Sequence, residues 1–269
     1  MDIFLYQSKM KHLKLFEGFE NVWQNSLVKA IDTYRYILED EGCIVRKWFD
    51  NVKSIFKDKL NTKNYINLQI YKNEVLQIKD IEKWGAARYF DVKTKTLYQP
   101  WGTNLLAKEF KKPTFNKNSL VFWVGSVWND KNNQGNINEI NELRTVLNAY
   151  KLKFINIRFI PDWLNILLIR NSRIAPAISG KSQVEMDYPP CRLFKNISYG
   201  QLGISNVSKS KEILGDNSVK GNSIEELIEN ALSLSKEEYI SKIKAQQEIV
   251  KKYTYKESLE NIIRALNIK

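Results

Sequence analysis

From Ser119 onward the chain alternates short apolar runs with helical patterns, and this alternation constrains the fold more than any other feature of the sequence. The first apolar run, Leu120–Val124, is continuous, as in a strand that is buried on both faces of a parallel sheet. Three further runs have the character of strands, with helical patterns between them: Phe154–Ile157, Arg173–Ile178 and Leu202–Ser205. Strands separated by helices form βαβ units, so we expect an α/β fold with a doubly wound parallel sheet.

Three segments follow predicted strands directly: Gly125–Trp128, Gly180–Gln183 and Asn206–Lys209. In doubly wound sheets, ligands bind outside the carboxyl ends of the strands. We therefore expect these three segments to converge on one rim of the sheet. Gly125 and Ser126 form a tight exit from the first strand, where the missing side chain of glycine lets a ligand approach the backbone.

The segment Pro189–Asn206 predicts a short helix that is entered through Pro190 and stopped at Gly200. Cationic and hydrogen-bonding side chains lie at or near its start: Arg192, Lys195, Asn196, Ser198 and Tyr199. A helix N-terminus presents unpaired backbone N–H groups and a partial positive charge, which suit a bound phosphate. An ordinary surface helix with a solvated polar face is the alternative interpretation.

The C-terminal part predicts three helices with clear starts. Each has a hydroxyl residue three positions before a glutamate, the spacing of a capping box: Ser223 with Glu226, Ser235 with Glu238, and Thr254 with Glu257. Apolar residues follow at helical spacing, so we interpret these helices as structural elements that face a core.

Several landmarks together resemble one known family. They are Tyr98–Leu105, Val121–Ser126, Arg192–Gly200 and Gly203–Asn206. From about Leu97 to its end, the chain is similar to the C-terminal, donor-binding half of GT-B-type glycosyltransferases. The resemblance implies two Rossmann-like domains, with a C-terminal helix that crosses back to the first domain. It also implies an enzyme, a hexosyl- or related transferase that moves a sugar from a nucleotide-diphosphate donor to an acceptor hydroxyl, for example on a surface polysaccharide or glycan, without a metal or a further cofactor.

The residues expected to bind the donor are Gly125, Ser126, Trp128, Lys131, Gln183, Arg192, Lys195, Asn196, Ser198, Tyr199, Asn206 and Ser208. Arg192 and the amide groups around it would neutralise the leaving diphosphate. Two positions depart from the family pattern: Lys195 stands where an acidic residue commonly holds the donor ribose, and Ser126 stands where arginine is frequent. These departures keep open a non-catalytic module that binds a nucleotide sugar or a glycan.

The predicted organisation has three parts: a short, atypical acceptor-side domain over residues 1–112, a donor-binding domain over 119–250, and a terminal helix over 251–269 that packs back on the first domain. The boundary between the first two parts is placed in the polar stretch from Lys111 to Asn118, which contains Pro113. In the N-terminal part, the pattern predicts helices over Phe19–Leu38 and Asn51–Leu60 and strands over Cys43–Phe49 and Tyr65–Tyr71.

Composition and charge narrow the function classes. The formal net charge is +12, but the lysines are scattered, so we expect no nucleic-acid partner; an anionic donor, or peripheral contact with a membrane surface, remains compatible with this charge. The two cysteines lie in separate predicted domains and indicate no disulfide framework, which favours a cytoplasmic protein.

His12 is the only histidine; it is either exposed or, in the interdomain cleft, a catalytic base or an acceptor-binding group. No Asp-x-Asp pair indicates a metal site. Spacing does not select among the carboxylate candidates, which are Glu17, Glu20, Glu185 and Asp187.

Overall fold

The structure, a computed structural model, describes residues 67–69, 81–93, 96–129, 135–255, 257–258, 261 and 264–265. The chain divides into two compact units. Unit 1 comprises Met1–Ile70, Gln77–Gln99 and Tyr255–Lys269, and unit 2 comprises Tyr71–Leu76 and Pro100–Thr254. Of the predicted N-terminal elements, only part of the strand over Tyr65–Tyr71 lies among the described residues.

Unit 1 contains a four-stranded sheet in the order β1-β4-β3-β2. Its strands are β1 (Asn67–Gln69), β2 (Ile81–Gly85), β3 (Arg88–Asp91) and β4 (Thr96–Tyr98). Strands β1 and β4 are parallel, and the other two pairs are antiparallel. The C-terminal segment belongs to the same unit: Gln99 Nε2 donates to Ser258 O at 3.1 Å, and the Arg264 guanidinium lies 4.1 Å from the centre of the Trp84 ring.

Unit 2 is built on four short parallel strands. Strand β5 (Leu120–Val124) pairs with β6 (Lys153–Ile157), and β7 (Ala175–Pro176) pairs with β8 (Gly203–Ile204). On the edge of β5 away from β6, Arg173 N donates to Leu120 O at 2.7 Å and Phe122 N donates to Ser172 Oγ at 2.9 Å. The two pairs therefore lie side by side, in the order β6-β5-β7-β8.

The mixed α/β class with parallel strands is confirmed, but the last two strands are shorter than predicted. The runs Arg173–Ile178 and Leu202–Ser205 contain ladders of only two residues each. Pro176 has no N–H to donate, which limits the ladder that β7 can form.

Seven helices of unit 2 are described. They are α1 (Ile137–Ala149), α2 (Asp162–Arg170), α3 (Lys181–Glu185), α4 (Cys191–Ser198), α5 (Ser208–Leu214), α6 (Ile224–Ser233) and α7 (Lys236–Val250). A large buried cluster joins α1, α6 and α7 to Val121 and Trp123 of β5. A smaller cluster around Ile169 of α2 and Tyr199 packs with Val124 of the same strand. Alternate residues of β5 thus face helices on both sides of the sheet.

The two last helices begin as their sequences predict. Ser223 Oγ accepts from Glu226 N, and Ser235 and Glu238 form a reciprocal capping box. Helix α7 also covers the outer edge of β8, because Gln246 Oε1 accepts from Gly203 N at 2.8 Å and its Nε2 donates to Gly203 O at 3.1 Å. An edge strand is thereby supplied with partners from a side chain. Within the described ranges, no helix combines the length and apolar character that a membrane crossing needs.

Candidate functional site

Arg192 lies at the carboxyl end of the first strand of unit 2. Pro190 is the N-cap of α4 and supplies no side-chain hydrogen bond, so the first turn of the helix has no side-chain cap from this residue. Arg192 is the second residue of that turn. Its guanidinium carbon lies 3.7 Å from the centre of the Trp123 ring. Its Nε and Nη2 both donate to Val124 O at 3.3 Å. A helix start and a half-buried cation are thus placed together at the end of β5.

Gly125 is the residue that permits this placement. A Cβ at this position would lie 2.0 Å from Nη2 of Arg192, closer than non-bonded atoms approach, and 3.2 Å from its Cζ. The glycine also has φ +150°, a conformation that L side chains rarely adopt. The sequence analysis assigned Gly125 and Arg192 to one set of donor-binding residues, and the structure brings these two residues into direct contact.

The topology places this contact at a branch point of the sheet. The chain leaves β5 through α1 toward β6 on one side, whereas β7 and β8 lie on the other side. Helix α4 is fixed beside β7 by Asn196, whose Nδ2 donates to Ala175 O at 2.8 Å. In open α/β sheets, the crevice at such a reversal of strand order is the usual ligand position.

The loop that follows β5 is held by two asparagine side chains. Asn136 accepts from Trp128 N at 3.0 Å and donates to Ser126 O at 3.1 Å. Asn156 donates to Gly125 O at 2.8 Å. The backbone of this loop is therefore fixed among the described residues, and the Trp128 ring remains 43% exposed.

The loops after β7 and β8 are joined by a third asparagine. Asn206 Oδ1 accepts from Ser179 N at 2.8 Å, and its Nδ2 donates to Ser179 O at 2.9 Å. Ser179 Oγ is buried and has no partner among the described residues. The neighbouring Gly180 lies so close to the loop before α1 that a Cβ would be 2.3 Å from Gly135 O. Three strand exits therefore meet at one rim, as predicted.

Other predicted residues of this rim bind the protein itself. Gln183 Oε1 accepts from Gly180 N at 3.3 Å. Ser208 Oγ donates to the buried carboxylate of Asp187, which also accepts from Lys209 N at 3.1 Å. Asp187 thus caps the start of α5, and this contact accounts for one of the carboxylate candidates.

Four polar residues predicted near the start of α4 point into the protein instead. Ser198 and Tyr199 are completely buried, Asn196 is 2% exposed and Lys195 is 7% exposed. The Ser198 hydroxyl is 2.7 Å from Thr103 Oγ1, and Tyr199 Oη donates to Asn104 Oδ1 at 2.8 Å. The alternative of a solvated polar face is therefore wrong for these residues, because their hydrogen-bond partners lie in the protein interior.

Four predicted residues lie outside the described residues: His12, Lys131 and the carboxylate candidates Glu17 and Glu20. Sequence reasoning missed Trp123, Asn136 and Asn156. Trp123 is the penultimate residue of the apolar strand β5, and nothing local distinguishes it from a core residue. In the part of the chain that the structure describes, no group of three His, Cys, Asp or Glu residues could hold a metal ion.

An open depression lined by Arg144, Lys151 and Phe154 lies at the amino end of β6. This depression is at the opposite end of the strands from Arg192. Because ligands of open α/β sheets bind at the carboxyl ends of the strands, we assign the candidate site to the rim and not to the depression. Comparisons with protein-family models, with curated proteins and with solved structures found no match for this chain.

Proposed function

We propose that unit 2 binds the diphosphate of a nucleotide-sugar donor and that the chain is a glycosyltransferase acting on an acceptor hydroxyl. The observation that carries this proposal is the contact between the Arg192 guanidinium and Gly125 at the branch point of the parallel sheet. The resemblance of the sequence to the donor-binding half of GT-B-type enzymes supports the same choice, and the low cysteine content favours a cytoplasmic location.

The chemistry that this arrangement supports is stabilisation of a leaving diphosphate. Negative charge builds up on the diphosphate as the glycosidic bond to the sugar breaks. A guanidinium can grip two phosphate oxygens at once, and the N–H groups of an uncapped helix start add a favourable dipole. Because this charge is largest in the transition state, Arg192 contributes more to turnover than to donor affinity.

The contacts of Arg192 suit an exchange of partners. Its two hydrogen bonds to Val124 O are long, at 3.3 Å, and they run to a neutral carbonyl. Bonds between a guanidinium and an anionic oxygen are shorter and about twice as strong. The Trp123 ring holds the cation at the rim while the phosphate replaces the carbonyl contact. On the same rim, we assign the exposed Trp128 ring to stacking on the donor.

The test is a calorimetric titration of the full chain with UDP and with GDP. Arg192→Ala is compared with Arg173→Ala, a matched control. Arg173 also stacks on an aromatic ring, at 4.9 Å from the centre of Phe115, and donates to a carbonyl, Asn116 O, but it lies near the amino end of β5. We expect the wild type and Arg173→Ala to bind one of the nucleotides and Arg192→Ala to bind it more weakly.

In a turnover assay, Arg192→Ala should lower the rate by about a hundredfold or more, and Arg192→Lys should recover part of the loss. Well-folded protein that binds no nucleoside diphosphate would refute the donor site. An equal effect of the two alanine variants would assign Arg192 a structural role only.

A binding module without turnover is the second candidate. It is favoured by Lys195, which stands where the resembled family commonly has an acidic residue and which is almost completely buried. Product analysis against a panel of sugar nucleotides separates the two candidates. Transfer or hydrolysis above background rejects the module, and nucleotide binding with no product on a broad acceptor panel supports it.

A further inference from the structure

Three large apolar side chains are unusually exposed in one short stretch of unit 2. Phe159 is 99% exposed, Trp163 is 66% exposed and Leu167 is 49% exposed. The other exposed large hydrophobic residues of the described chain are at most 43% exposed. These three residues define a surface that we call the α2 face.

The α2 face is apolar on the side where a surface helix is normally polar. Trp163 and Leu167 are four residues apart, so they share one side of the helix. The inner side of α2 is also apolar, since Ile169 is buried and Ile166 packs against the same cluster. Phe159 precedes the helix at φ +56°, in a turn that projects its ring into solvent. A helix with apolar residues on both sides indicates a second apolar environment.

Exposed cationic residues lie on the segments that adjoin α2. Arg158 is exposed and directly precedes Phe159, and its Nη2 donates to Val127 O in the loop after β5. The segment 105–112 runs beside α2, because Arg170 Nη1 donates to Lys112 O at 2.8 Å, and it carries the exposed residues Lys108 and Lys112. The acidic residues nearby are Asp162 and Glu109, and an oxygen of Glu109 accepts from Leu106 N. The local charge is positive, as is the formal net charge of +12.

We propose that the α2 face docks on an anionic membrane surface. Tryptophan and phenylalanine favour the level of the lipid headgroups, and a border of lysine and arginine is attracted to anionic lipids. Phe159 and Trp163 enter the interface, and Lys108 and Lys112 contact headgroup phosphates. A purely protein partner would not require this combination of aromatic residues with a cationic border. The inference depends on the contacts of α2 and not on the donor site.

The test is flotation of the full chain with phosphatidylcholine vesicles and with vesicles that also contain phosphatidylglycerol. We expect binding to the anionic vesicles that weakens as salt is added. The double variant Phe159→Ser with Trp163→Ser should lower the partition coefficient by about tenfold or more. Tyr150→Ser, which removes a 40% exposed aromatic ring near the end of α1, is the matched control and should bind like the wild type.

Two further measurements fix the roles of the residues. The double variant Lys108→Gln with Lys112→Gln should reduce the salt-dependent part of binding. The emission of Trp163, obtained as the difference between the wild type and Trp163→Phe, should shift to the blue when anionic vesicles are added. The proposal is overturned if folded protein ignores the anionic vesicles or if the serine double variant binds them as well as the wild type does. It is also overturned if Trp163 is shielded from acrylamide before lipid is added, because the α2 face is then covered by protein.

Discussion

Replacing Gly125 with alanine should destabilise unit 2 both by displacing Arg192 and by straining the backbone. The new Cβ would lie 2.0 Å from Nη2, so the guanidinium must leave its place above Trp123, where its carbon is 3.7 Å from the ring centre. The lost cation–π contact amounts to about 0.5–2 kcal/mol, and the lost hydrogen bonding to Val124 O amounts to about 1 kcal/mol. Alanine at φ +150° adds roughly 1–3 kcal/mol of backbone strain.

A double-mutant cycle separates these two contributions. In the wild-type background Gly125→Ala should cost the strain and the lost contacts together. In the Arg192→Ala background the contacts are already gone, so only the strain remains. The coupling free energy between the two positions should therefore be about 1.5–2 kcal/mol, in the lower part of the summed contacts because Arg192 is only half-buried.

The measurement is urea unfolding of the four proteins, followed through the transition of unit 2. Gly215→Ala is the matched control, since Gly215 also has a positive φ, +56°, but a Cβ there would meet nothing within 4 Å. Its cost should be the same with and without Arg192. Additive costs for Gly125→Ala and Arg192→Ala, to within about 0.5 kcal/mol, would refute the argument that Gly125 exists to accommodate the guanidinium.

Three other changes test the structure of unit 2. Gln246→Leu leaves the buried N–H and C=O of Gly203 without their side-chain partners, and should lower the free energy of unfolding in urea by about 2–4 kcal/mol; an unchanged midpoint would contradict the edge contact. Asn206→Asp keeps the acceptor for Ser179 N but removes the donor to Ser179 O, so its thermal midpoint should fall, and Asn206→Ala should fall further; equal midpoints for all three proteins would exclude the two-point contact. Burial raises the pKa of Tyr239 above the ordinary value of 10.0, so the stability that its neutral form contributes is present below about pH 10 and is lost as the pH rises further. The stability deficit of Tyr239→Phe relative to wild type should therefore shrink between about pH 8 and pH 11, and a constant deficit would contradict it.

The parts of unit 2 that the sequence predicts well depend on local patterns. The run Leu120–Val124 is continuously apolar because both faces of β5 are covered. Ser223 and Ser235 cap their helices because the capping residue and its partner are three positions apart. The strand exits converge because parallel strands end at one edge. The short helices α3 and α5 were not predicted, since five to seven residues contain too little apolar periodicity to be recognised.

The contacts within the candidate site depend on residues that are distant in the sequence. Arg192 stacks on Trp123, which precedes it by 69 positions, and Tyr199 donates to Asn104, 95 positions away. A polar residue such as Ser198 looks ligand-facing in the sequence because nothing local shows that its hydroxyl is bonded to both Thr103 Oγ1 and Lys195 O. The sequence therefore predicted which segments share the rim, whereas the assignment of each side chain required tertiary geometry.

The three asparagine contacts at the rim have a consequence for the thermodynamics of ligand binding. Asn136, Asn156 and Asn206 fix the described backbone of the strand exits through hydrogen bonds that are present without a ligand. The conformational entropy of these segments is thus lost when the protein folds, so the free energy of ligand binding does not include the cost of ordering them. Removing one asparagine would transfer that entropy loss to the binding step, so that affinity would fall even though the side chain never contacts the ligand.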